Sequence, residues 1–153
     1  MKWKKFIGAL ALPLAVGGLA SLLSGGMDIY TVLNKPPLAP PGWLFPVVWS
    51  ILYLLMGYAS YRVLESGAGE EERHKALLLY AAQLLANFIW PLLFFGGMWL
   101  TASFLWLILL WVLILLTIKA FSAIDEAAGN LLIPYILWVT FAGYLNFGFL
   151  LLN

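Results

Sequence analysis

Gln83, Asn87, Trp90 and Phe94 fall at i, i+4, i+7 and i+11, which is one continuous face of a helix. Trp138, Ala142, Leu145 and Asn146 make a similar stripe further on, with small Ala142 and Gly143 beside the indole leaving room for something flat. Trp49 and Tyr53 stand one helical turn apart. The chemistry open to these residues is recognition. Indole and phenol rings stack on planar apolar molecules, and the amides Asn87 and Asn146 offer the few polar contacts that such a pocket needs. The same residues could serve only as glue between helices, through interhelical hydrogen bonds and ring packing, and spacing alone leaves both readings open.

Other chemistry has little to work with. The sequence shows no paired carboxylate, no Ser-His-Asp set, no phosphate loop and no cluster with metal-ligand spacing. Cysteine is absent, so there is neither a disulfide framework nor a thiolate ligand. The single histidine, His74, lies in the charged run Glu70-Glu71-Glu72-Arg73-His74-Lys75 and reads as a solvated connector residue. No cofactor or metal is expected. A net charge of +1 gives no basic surface for nucleic acid.

The elements that must position these stripes are membrane helices. Of 153 residues, 64% are hydrophobic and 10% charged, far from the roughly half apolar and quarter charged composition of soluble domains. An all-α bundle of five spans is predicted, over about 6–24, 44–64, 75–96, 101–121 and 129–152, as a single domain covering 1–153. The basic start Met1-Lys2-Trp3-Lys4-Lys5 followed by an apolar run resembles a signal peptide. The 19 uncharged residues from Phe6 to Ser24 are long for a signal peptide's apolar core, which favours a retained first helix. Pro13 should kink it, and Gly17-Gly18 permit close packing. No Asp, Glu, Lys or His lies mid-span, which counts against an ion-driven pump.

Between the first two spans runs a loop, 25–43, longer than an ordinary connector. Four prolines in the six residues from Pro36 to Pro41 remove backbone donors and fix φ, so an ordered lid is expected rather than a floppy loop. Counting Lys and Arg puts seven on the face shared by the N-terminus and the second and fourth connectors, against Lys35 alone on the other. In a bacterial cell membrane this places the N-terminus in the cytoplasm and the lid and C-terminus outside. Two further patterns are weak. Ala82-x-x-x-Ala86 is a small-xxx-small spacing that could seat a partner helix. Leu55-x-x-Tyr58-x-x-x-Arg62 fits a permissive sterol pattern and reads equally well as interfacial anchors.

Taken together, several pieces resemble the TspO/MBR family of translocator proteins (peripheral-type benzodiazepine receptors) and bacterial tryptophan-rich sensory proteins. They are Tyr30-x-x-Leu33-Asn34-Lys35-Pro36, Pro40-Pro41-Gly42-Trp43, Phe45-Pro46-x-x-Trp49-x-x-Leu52-Tyr53, Gln83-x-x-x-Asn87-x-x-Trp90-x-x-x-Phe94-Phe95 and Pro134-Tyr135-x-x-Trp138-x-x-Phe141-Ala142-x-x-Leu145-Asn146. The resemblance covers nearly the whole chain. It implies a five-helix bundle, usually a homodimer, whose first loop closes a pocket for porphyrins, sterols and isoquinoline-carboxamide or benzodiazepine drugs. By matched position, Trp49, Tyr53, Asn87, Trp90, Phe94, Trp138, Ala142 and Leu145 should line that pocket, with Tyr30 and Pro40 contributed by the lid. The expected function is thus a membrane receptor or sensor for tetrapyrrole-like ligands. Transport of tetrapyrroles or lipids is an alternative, as is light- or oxygen-dependent porphyrin breakdown at Trp138. Many members carry tryptophan at the positions of Ile29 and Leu38, so photochemistry that needs a loop tryptophan is not expected here. The sterol motif of animal members is missing from 147–153, so cholesterol is not expected as the ligand.

Overall fold

A computed structural model describes residues 2–25 and 28–153. Five long apolar helical stretches, each long enough to cross a bilayer, form the bundle: Trp3–Leu23, Leu44–Leu64, Glu70–Gly96, Leu100–Ile124 and Glu126–Leu152. We label the helices α1 (Trp3–Leu23), α2 (Asp28–Val32), α3 (Leu44–Leu64), α4 (Glu70–Pro91), α5 (Leu100–Ile124), α6 (Glu126–Leu131) and α7 (Ile133–Leu152). Large apolar side chains such as Leu22, Leu85, Leu105 and Leu137 are exposed on the outer faces, as expected where hydrocarbon replaces water.

The differences from the expected boundaries have local causes. α4 begins at Glu70, five residues before the predicted start of its span, because Glu70, Glu71 and Glu72 fill the first turn and complement the helix dipole. Only 65–69 remains as connector. The lid is not all loop, since Asp28–Val32 forms a turn of helix. The last span is two helices, α6 and α7. Pro134, in the first turn of α7, has no N–H to bond back into α6. Pro91 likewise cannot donate to the Asn87 carbonyl, and α4 continues as a π-turn over Leu92–Gly96. That wider turn closes with the Trp99 N–H bonded to the Leu93 carbonyl at 2.9 Å. α1 stays helical through Pro13, which is buried.

The connectors segregate as alternating spans require. At one end Lys2 and Lys5 meet Glu65, and the Arg62 guanidinium donates to Asp125 at 2.7 Å. At the other end the lid is fastened to α7. The Asn34 N–H donates to Asn153 Oδ1 at 3.0 Å, Asn153 Nδ2 donates back to the Asn34 carbonyl, and the Tyr144 hydroxyl donates to the Pro37 carbonyl at 2.6 Å. Pro36 lies on Gly148, where an added Cβ would come within 2.5 Å of the proline ring. Leu38, with φ of 69°, turns the lid in the left-handed region.

Asp125 also accepts from the Ala127 N–H and so caps α6. The Arg62 guanidinium beside it holds its carboxyl below the usual range. The folded protein therefore binds this proton less readily than the unfolded chain. The stabilisation is complete above the unfolded pKa of about 4 and is lost as pH falls below it. Glu65, held down by Lys2, acts in the same window. The expected result is a melting temperature that drops as pH is lowered below about 4, with a shallower drop in Asp125→Asn, as read by thermal melts in detergent.

Candidate functional site

A cavity of about 310 Å³ lies between α1, α3 and α4. Its walls include Phe45, Trp49 and Tyr53 of α3, Asn87, Trp90 and Pro91 of α4, and Phe95 of the π-turn. Leu14, Gly17, Gly18, Ser21 and Ser24 of α1 complete it, with Leu110 of α5. Trp49 and Tyr53 stack at 5.5 Å between ring centroids with 28° between planes, because residues four apart share a helix face. Gly17 makes room for this pair, since a Cβ there would meet the Tyr53 ring at 2.2 Å.

A second space, about 10 Å³, lies beneath the lid. Tyr30, Phe94, Ala142, Leu145, Asn146 and Phe149 face it, together with Phe45, Trp90 and Phe95. The last three line both spaces and form the partition between them. Phe94 is buried and Phe95 half-buried, and both face the space beneath the lid from the π-turn. Tyr30 is 3% exposed and its hydroxyl donates to the Pro40 carbonyl. Burial raises the pKa of that hydroxyl, so it remains a donor and pins the lid.

The residues expected at the site thus divide. Trp49, Tyr53, Asn87 and Trp90 line the large cavity. Tyr30, Phe94, Ala142, Leu145 and Asn146, with Trp90 again, surround the small one. Trp138 and Pro40 line neither. Trp138 packs edge-on against Phe45 at 5.8 Å, behind the partition. Its indole Nε1 is buried with no hydrogen-bond partner.

Almost every other polar group in the walls is matched within the bundle. Tyr53 donates to Asn87 Oδ1 at 2.9 Å, Asn87 Nδ2 donates to the Tyr135 hydroxyl at 2.7 Å, and Tyr135 donates to Gln83 Oε1 at 2.7 Å. Trp90 Nε1 donates to Asn146 Oδ1 at 3.0 Å, and Asn146 Nδ2 donates to the Leu100 carbonyl at 3.1 Å. These bonds tie α3, α4, α5 and α7 together, so the amides are glue as well as wall. Tyr135 sits at the centre of this network and was missed as a site residue. The signal was there, because it lies three residues before Trp138 on the same face of α7. The α1 contribution left no aromatic or amide signal to find. His74 is exposed, and no group of acidic or histidine side chains that could hold a metal occurs among the described residues. Ala86 of the small-xxx-small pattern is buried beneath α5, where its carbonyl accepts from Trp106 Nε1 at 2.8 Å, while Ala82 is exposed.

Five helical stretches long and apolar enough to cross a bilayer, packed around a cavity with aromatic walls, define an integral multi-pass α-helical membrane protein. The chain belongs to the TspO/MBR family, whose model matches residues 9–152. It is 45% identical over 124 residues to "Tryptophan-rich protein TspO" of Chlorobaculum tepidum, covering 81% of this chain and 78% of that one. To "Tryptophan-rich sensory protein" of Cereibacter sphaeroides it is 38% identical, across 100% of this chain and 94% of the relative. To "Translocator protein" of Bos taurus it is 36% identical, across 95% and 88%. Family and relatives support a receptor- or sensor-type role in a membrane.

Proposed function

We propose that this protein is a membrane receptor or sensor that binds porphyrin-like tetrapyrroles and other planar apolar molecules within its helix bundle. The observation that carries this reading is the 310 Å³ cavity faced by Trp49, Tyr53 and Trp90. Its volume sits at the lower end of the roughly 300–1,000 Å³ range of small-molecule pockets. A flat macrocycle slides between the rings and buries apolar area at about 25 cal/mol per Å², enough for micromolar affinity with no charge pairing. Because the wall amides and phenols are already bonded to one another, stacking and burial supply most of the affinity. Swinging Phe45 aside joins the two spaces and brings Trp138, Ala142 and Leu145 to the ligand, giving the unpartnered Trp138 N–H an acceptor. The N-terminus faces the cytoplasm, as the charge count indicates, and the working assembly is a homodimer.

Titration with protoporphyrin IX, read as quenching of tryptophan fluorescence, tests the binding. Trp49→Leu removes one face of the stack and is expected to raise Kd about tenfold, which corresponds to about 1.4 kcal/mol. Trp111→Leu, on α5 outside both spaces and bonded to Thr140, is expected to change Kd less than about twofold. Equal effects from the two substitutions contradict the assignment.

A further inference from the structure

The cavity meets buried side chains towards the lid and exposed ones on its α1–α3 side. At its lid end Ser24 is buried, and Gly96 packs on the Ser24 backbone at 3.5 Å from where a Cβ would stand. At its side, Leu14, Gly18 and Ser21 of α1 face Pro46 and Ser50 of α3, and all five are exposed. Further from the lid the same two helices are in backbone contact, where Gly57 meets Ala9 and Leu10. The opening therefore begins beyond Tyr53 and runs towards the lid. Gly18 lies five residues before the end of α1 and Ser50 six residues after the start of α3. At 1.5 Å per residue both stand about 8–9 Å inside the bundle's lid end, at the depth of lipid chains.

We propose that this gap between α1 and α3 is the entrance. On the reading that the cavity takes planar apolar molecules, the ligand reaches it by lateral diffusion from the lid-side leaflet, not from water through the first loop. Three features favour this route. A molecule of that class partitions into hydrocarbon before it meets any protein. The gap opens into that phase, and Gly18 adds no side chain to its α1 side. The lid is fastened to α7 through Asn34, Pro36 and Pro37, which disfavours its opening as the route from water.

Gly18 provides the test. A Cβ added there meets nothing within 4 Å, so a large side chain enters the gap without disturbing the packing. Gly18→Phe, in lipid nanodiscs mixed with protoporphyrin IX, is expected to slow both association and dissociation at least tenfold, as followed by stopped-flow quenching. Ser50→Phe narrows the gap from the α3 side and is expected to do the same, so poor folding of one variant leaves the other as the test. Asn34→Cys with Asn153→Cys, joined by a short thiol crosslinker in this cysteine-free chain, locks the lid and is expected to leave the wild-type association rate unchanged. Slow association in the locked protein overturns the proposal. So does a loss of affinity in Gly18→Phe and Ser50→Phe with unaltered association rates, because the two positions are then only wall. Absence of saturable quenching in the wild type is a different failure. It removes the binding reading, and the entrance falls with it.

Discussion

Gly57→Leu is expected to prevent α1 from docking, costing about 3 kcal/mol or more and most of the folded yield in detergent. A Cβ at Gly57 would stand 2.6 Å from the Ala9 carbonyl oxygen and 2.7 Å from the Leu10 Cα. Both are backbone atoms of a helix, which cannot turn aside as a flexible side chain does. In a membrane, small residues are what allow two helices to approach this closely, since lipid is as apolar as the side chains it would displace. Gly18→Ala is the control on the same helix pair. With open space around its Cβ, it is expected to leave the melting temperature unchanged or raise it slightly, because alanine is the better helix former by about 1 kcal/mol. Thermal melts of the two variants side by side check the pair. A well-folded Gly57→Leu protein contradicts the close α1–α3 contact.

The second large effect is expected at Asn87. Its amide links Tyr53 of α3 to Tyr135 of α7, and Tyr135 in turn holds Gln83. Asn87→Leu keeps the number and branching of the side-chain heavy atoms and removes both bonds. Interhelical hydrogen bonds in membranes average about 0.6 kcal/mol and reach about 1.7. Two bonds lost in a buried site, with the Tyr53 hydroxyl left without an acceptor, are expected to cost about 2 kcal/mol. For a chain of this length that is a fall of about 4–8 °C in melting temperature. Adding Tyr53→Phe removes the orphaned hydroxyl, so the double variant should be less destabilised than the sum of the two single ones. Freed from Asn87, Tyr53 also loses its fixed place on Trp49, and protoporphyrin IX affinity should fall with stability. Strict additivity in the double-mutant cycle contradicts the coupling.

Much of this was legible in the sequence, for physical reasons. Apolar runs of spanning length have one outcome in a bilayer, so the number of spans followed from composition alone. The Gln83–Asn87–Trp90–Phe94 stripe does face inward, because amides in hydrocarbon must find partners. The division of the expected site into two spaces was not legible. It depends on how far Phe45, Trp90 and Phe95 reach across the bundle, which is a property of packing rather than of spacing. The π-turn after Pro91 was equally hidden. Proline marks where an α-helical hydrogen bond is lost, but not whether the chain stops, kinks or widens there. Apart from Leu14, the part of α1 in the site is formed by Gly17, Gly18, Ser21 and Ser24, residues that contribute by being small. A pattern search for rings and amides passes over them.

The central claim is that a planar ligand sits against Trp49 and Trp90 inside the bundle. The most direct measurement replaces all eight tryptophans with 5-fluorotryptophan and follows their fluorine resonances, assigned one at a time by substitution, as protoporphyrin IX is added. The ring current of a stacked macrocycle should shift Trp49 and Trp90, while exposed Trp3, Trp43 and Trp99 stay in place. Movement of the exposed indoles with Trp49 and Trp90 unshifted means that the macrocycle adsorbs to the outside, and contradicts the account.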